Sequence, residues 1–421
     1  MPYQLVRYLK NQYKQWSKSA GFLPEPPSHA LKAVTDLPGS DAARRIDQSL
    51  RRQNDPYTLA VRKHVVPTLM DSVTHAQQAQ ITQELLALFT RIDPTGCHHR
   101  SVYRAAAVCF ASGFYQLGGC LRDIAMHCIP TDKLTNPEHW QTAFAVALEK
   151  RDKSLLSRLL DNRPGDATTL SSGTALLLER LGVAVPDRLE QSADLPPLWH
   201  ALHGKRIALV GPVGYDVNIE DALACHDYVG RLAFNGTDGL AANTGTRADY
   251  SFYAGHKIPA QKQQQAALHQ LKGVVLKRSA LKLKVDALGL PEERVVIAPS
   301  VKDLMYNCTP NAGIQFAYFL ACVVGMQLTV FGFNFFLKSR YSPGYTSKGT
   351  QGASSGNPFS SKERAVSFAR HHNPVAQFRF FDLLVSAGLC EPDAYTRQFS
   401  TMTLDDYLAQ LDNELGCATF R

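Results

Sequence analysis

"RIALVGPVGYD", Arg206 to Asp216, is the stretch whose reading decides the fold. Ile207 to Val210 is a short, unbroken apolar run closed by a Gly-Pro turn. Such a run reads as a buried strand ending in a turn. Gly211 and Gly214 would let backbone amides approach a ligand closely. They stand three apart with Pro212 between them, so the G-x-G-x-x-G dinucleotide fingerprint is absent. The same turn also serves an ordinary strand-to-helix connection.

Downstream the pattern alternates. "YVGRLAF", "DYSFYAG", "GVVLKRS", "RVVIAPS" and "QLTVFGFNFF" read as strands, with helical "AQKQQQAALHQL" and "AGIQFAYFLACVVG" between them. Strand–helix alternation predicts an α/β fold with a mostly parallel sheet covered on both faces. Ligands in such sheets sit at the C-terminal ends of the strands. Upstream, residues 28–190 read as helical. Ala76–Ile92 carries Ile81, Leu85, Leu86, Leu88 and Phe89 at helical spacing. "SVYRAAAVCFASGFYQLGGCLRDIAMHCI" reads as paired helices with breaks at Gly113 and at Gly118–Gly119. A Pro pair in Val185–Lys205 interrupts the helical pattern. The expectation is an all-α bundle or helical-hairpin domain at 1–190, with an α/β domain at 200–421.

A chain of 421 residues is long enough for two or three cores. No apolar run reaches the ~20 residues of a membrane span. Nine cysteines, an odd number with no C-x-x-C pair, argue against a disulfide framework and for a reduced, cytoplasmic protein. The net charge of +8 suits an anionic partner, but no aromatic-plus-basic nucleic-acid motif accompanies it. Residues 3–18 would form a basic amphipathic helix, with Arg7, Lys10, Lys14 and Lys18 opposite Leu5, Val6, Leu9, Tyr13 and Trp16. It can lie on an anionic inner-membrane surface or dock on its own domain.

A glycine turn and four further stretches of residues 200–421 carry a resemblance. A glycine turn follows the first strand; then come "HDYVGRLAFNG" and "NTGTRADYSFYAG", then "TPNAGIQFAYFLACVVGMQLTVFGFNFF", and last "HHNPVAQFRFFDLLVSAGL". In order and spacing they resemble the large, small and very short motifs of the sialyltransferases of glycosyltransferase family 29. The chain departs from the family's pattern at Pro212, where Asn is usual, and at Asn235, two positions late after Arg231. Asn311–Ala312–Gly313 replaces Ser/Thr–Gly, and Gln377 replaces a glutamate. Ala208 stands where vertebrate members have the cysteine that pairs with the position of Cys308.

The resemblance implies a Rossmann-like, GT-A-type domain. It implies transfer of a 2-keto-3-deoxy acid sugar, sialic acid or Kdo, from its CMP donor to a glycan or glycolipid acceptor, as in bacterial capsule or lipopolysaccharide synthesis. It also implies a set of donor-binding residues: Gly211, Pro212, Gly214, Arg231, Asn235, Gly245, Thr246, Arg247, Asn311, Ala312, Gly313, Gly332 and Phe333. His372 takes the base position of the family's His-x4-Glu, Gln377 would orient it, and His371 is the alternative base. No cofactor is expected beyond the activated sugar. The absence of Asp-x-Asp in the catalytic half predicts a site without metal. The Gly/Ser/Lys-rich stretch between Leu337 and Arg370 reads either as a lid from which Tyr341, Tyr345 and Lys348 would reach the donor or as a surface insertion without a role. Two other readings compete. One is a helical scaffold or binding protein with a degenerate transferase domain. The other is a UDP-sugar transferase, against which the missing Asp-x-Asp weighs.

Overall fold

The computed structural model describes residues 50–51, 53–69, 73–131, 136–164, 170–186, 190–191, 195–237, 240, 243–253, 262–277, 289–337 and 373–416. The proposed basic helix at 3–18 lies outside the described residues.

The first described helices are α1 (Pro56–His64), α2 (His75–Phe89), α3 (His99–Ala111), α4 (Tyr115–His127), α5 (Pro137–Lys150), α6 (Lys153–Asp161) and α7 (Ser172–Arg180). Local chemistry sets their starts. Thr74 and Gln77 form a reciprocal capping box on α2, and Asn136 and Asp152 cap α5 and α6. The predicted break at Gly113 separates α3 from α4. The predicted break at Gly118–Gly119 is absent, because both residues lie inside α4. A Cβ on Gly118 would stand 2.6 Å from the Phe110 ring, and one on Gly119 would stand 2.5 Å from Leu408. These glycines allow helices to pack closely; they do not end one.

Two-residue strands β1 (Leu170–Ser171) and β2 (Glu190–Gln191) pair in parallel beside α7. The main sheet has seven strands: β3 (Arg206–Val210), β4 (Tyr228–Leu232), β5 (Tyr250–Tyr253), β6 (Gly273–Leu276), β7 (Val295–Ile297), β8 (Gln327–Phe331) and β9 (Cys390–Pro392). Their order is β7-β6-β5-β4-β3-β8-β9 and every pairing is parallel. The predicted mixed α/β architecture with a parallel, Rossmann-like sheet is therefore present. The central strands are buried on both faces, as parallel strands under helices must be. The chain walks outward from β3 to β7, then returns to lay β8 against the other side of β3. That reversal is the topological switch point.

The further α-helices are α8 (Pro197–His200), α9 (Glu220–Ala224), α10 (Lys262–Gln270), α11 (Ala312–Tyr318), α12 (Pro374–Ser386), α13 (Ala394–Ser400) and α14 (Leu404–Leu415). A π-helical turn over Phe319–Val323 extends α11. One cluster of buried side chains runs from Leu50 in the helical part, through Ile207 and Val330 in the sheet, to Leu415. α14 packs on α4, and the Asp412 carboxylate accepts the first amides of that helix, Tyr115 and Gln116. Arg122 of α4 and Arg379 of α12 both pair with the buried Glu149 of α5. Arg379 also holds Asp123 at 3.0 Å.

The eight cysteines among the described residues are free thiols. No described helix is long and apolar enough to cross a membrane.

Candidate active site

The C-terminal ends of β3 and β8 meet at the Phe333 ring. The Gly211 N–H donates to the Phe331 carbonyl at 2.7 Å, prolonging the ladder by one residue. A Cβ on Gly211 would lie 2.5 Å from the Gly332 carbonyl and 2.8 Å from the Phe333 ring. A Cβ on Gly313, at the start of α11, would lie 2.7 Å from the same ring. Glycines from the turn after β3 and from the start of α11 thus make room for one aromatic side chain. Pro212 and Gly214 are half-buried on the turn.

The turn before α11 is tied to the start of α12. Asn311 caps α11 through Oδ1, which accepts the Ile314 N–H at 2.8 Å. Its own N–H donates to Gln377 Oε1 at 3.0 Å. Gln377 is fully buried, and its Nε2 donates to Cys308 Sγ at 2.9 Å and to the Thr309 carbonyl at 3.0 Å. Cys308 Sγ in turn reaches the Asn373 carbonyl at 3.8 Å. Burial pushes the Cys308 thiol up to about 12, so the sulfur is neutral. Asn373 caps α12, accepting the Ala376 N–H at 3.2 Å. His371 and His372 directly precede Asn373 in the chain. They lie outside the described residues, as do Tyr341, Tyr345 and Lys348.

Arg231 has a different setting from the one the resemblance implies. It is only 4% exposed. Nε donates to the Arg247 carbonyl at 2.8 Å, and the terminal nitrogens donate to the Thr244 and Gly245 carbonyls and to Thr244 Oγ1. It clamps the loop that carries Gly245, Thr246 and Arg247 onto the sheet. Burial pulls its pKa down to about 10. Arg247 reaches the opposite edge: it pairs with Asp249 at 2.8 Å and donates to the His226 and Asp227 carbonyls, at the N-terminal ends of β4 and β5. Thr246 is exposed on that loop. Asn235 is half-buried just beyond β4. Ala233, two residues after Arg231, has φ +51°. It occupies the position where the resemblance expects Asn, a residue that tolerates left-handed backbone well.

Three features of this edge were not read from the sequence. Tyr215 donates to Asp393 Oδ2 at 2.9 Å, and its ring lies 5.2 Å from that of Tyr395, bracing the switch point. Burial and the Asp393 carboxylate hold its hydroxyl proton on. Phe335 and Phe336 take φ of +49° and +75° where the chain leaves β8. Bulky residues in that region store strain, and such strain clusters at functional sites. Lys277 follows β6 directly, is half-buried, and donates from Nζ to the Pro310 carbonyl at 3.1 Å. Tyr215 and Lys277 each had a visible signal, a polar residue just past a buried strand. Their partners come from 178 and 33 residues away, which no local pattern reports.

Among the described residues, no three His, Cys, Asp or Glu side chains gather as metal ligands. Compared with known proteins, the chain matches no family model and no curated sequence.

Proposed function

We propose that the chain is a glycosyltransferase of GT-A-type architecture, moving sialic acid or Kdo from its CMP donor to a glycan or glycolipid hydroxyl. One observation carries the reading. The turn after β3, the end of β8, the start of α11 and the start of α12 form one contiguous edge through Phe333, Asn311 and Gln377. They belong to three of the stretches on which the sialyltransferase resemblance rests, and they lie at the C-terminal edge of a parallel sheet, where such sheets take ligands.

In the proposed reaction, His372 accepts the proton of the acceptor hydroxyl. The freed oxygen forms a bond to the sugar's anomeric carbon as that carbon's bond to the phosphate oxygen breaks. The bonding pair leaves with CMP. A histidine with an ordinary pKa near 6.5 suits this role at neutral pH. Gln377 keeps the α11 turn and the start of α12 in register, so its service to His372 is through the backbone that carries the ring. A reduced, cytoplasmic enzyme acting at the inner membrane surface fits such acceptors.

The test is incubation with CMP-N-acetylneuraminic acid or CMP-Kdo, with and without a glycan acceptor, scored as CMP release. Release is expected with one donor. His372→Ala should reduce it at least about 100-fold, the scale of general-base loss, while His371→Ala should weaken it only a fewfold. Absence of release with either donor overturns the reading.

A further inference from the structure

The ion pairs of the sheet are distributed unevenly. At the N-terminal edge, Arg206 faces Asp227 at 3.9 Å, and Arg247 and Lys272 share Asp249 at 2.8 and 2.9 Å. Lys272 stands just before β6 and also lies over the Tyr228 ring, 4.9 Å from its centroid. Lys277 stands just after the same strand, at the C-terminal edge, and has no carboxylate partner among the described residues. Among the described residues, its Nζ meets only the Pro310 carbonyl. The acid nearest by chemistry, the Cys308 thiol, is kept neutral by burial. Desolvation lowers the Lys277 pKa, since little surrounds the ammonium to replace water. A half-buried cation without a counter-ion is unfavourable, and an anion from outside relieves it. Pro310, whose carbonyl takes the Lys277 ammonium, adjoins Asn311, the residue that Gln377 ties to α12.

We propose that Lys277 is a ligand-binding residue that takes an anionic oxygen of the donor, on the phosphate or on the sugar carboxylate. This rests on the CMP-sugar reading above. The turn from Cys308 to Asn311, held by Gln377 on one side and by Lys277 on the other, then sets where that anion lies relative to the start of α12.

The experiment compares binding of cytidine, CMP and CMP-N-acetylneuraminic acid to wild type, Lys277→Met and Lys277→Arg. A charge-assisted contact predicts that Lys277→Met weakens a charged ligand about 10- to 100-fold and leaves cytidine unchanged. Loss already seen with CMP places the ammonium on the phosphate. Loss seen only with the CMP-sugar places it on the carboxylate. Lys277→Arg should recover part of either loss. Equal weakening of all three ligands, or none, overturns the assignment, since a purely structural tie to Pro310 would act on cytidine too. If wild type binds neither CMP nor the CMP-sugar, the donor reading fails and the assignment falls with it.

Discussion

The side-chain amide of Gln377 is used by three partners: its hydrogens go to Cys308 Sγ and the Thr309 carbonyl, and its oxygen accepts the Asn311 N–H. The family's glutamate would not fit here, because a carboxylate has no hydrogen to give the Thr309 carbonyl. Gln377→Glu should therefore cost about 2–3 kcal/mol, the penalty for an unsatisfied buried charged group, and should not raise CMP release. Urea denaturation beside the release assay checks both. A gain in release with unchanged stability would return Gln377 to the role of ring orienter. Ala233 gives a prediction of opposite sign. At φ +51° a Cβ is strained, so Ala233→Gly should stabilise by roughly 1 kcal/mol and raise the melting temperature.

At the scale of elements, α3 starts on a stacked histidine pair, with the His98 and His99 rings 4.9 Å apart. His99 is 5% exposed, and its Nδ1 has no hydrogen-bond partner among the described residues; burial first, and the neighbouring charges after it, pull its pKa down to about 4. The unfolded chain binds a proton near 6.5, so His99 favours folding above that pH. Its contribution is lost as pH falls from about 6.5 to about 4. Asp412 works the other way: burial raises it to about 6, so its contribution is present below about 4 and fades as pH rises through 6. The two partly cancel in wild type. His99→Gln should expose the difference, losing roughly 2–3 kcal/mol less than wild type between pH 7 and pH 4.5. Parallel acid-limb curves for the two proteins would contradict this. The elements themselves were largely legible. Ile207–Val210, Val274–Leu276 and Val295–Ile297 are apolar runs bounded by turns, and all three are strand. β9 was not legible, because Cys390–Pro392 is three residues with a proline and is defined only by its pairing with β8.

For the whole molecule, the sequence reading divides a helical part from an alternating part, and the described elements are a mixed α/β set around a seven-stranded parallel sheet. What it does not reveal is how the parts are joined. The C-terminal helix α14 returns to cap α4, and Glu149 of α5 collects an arginine from each part. Tyr103 of α3 donates to the Asn307 carbonyl at 2.7 Å and receives Asn373 Nδ2 at 3.4 Å, so the helical part touches the turn and the helix start of the candidate site. These contacts span 204 and 270 residues, beyond any periodicity. The same distance explains why the edge formed by Gly211, Gly313, Phe333 and Gln377 could be expected only from a resemblance.

The proposed cytidylate donor rests on that edge, and the melting temperature in the presence of nucleotides tests it most directly. A ligand at about 100 times its dissociation constant adds about 2.7 kcal/mol to the folded state, a shift of several degrees for a chain of this kind. CMP should raise the melting temperature by that order while UDP leaves it unchanged. Protection by UDP with no effect of CMP would contradict the account.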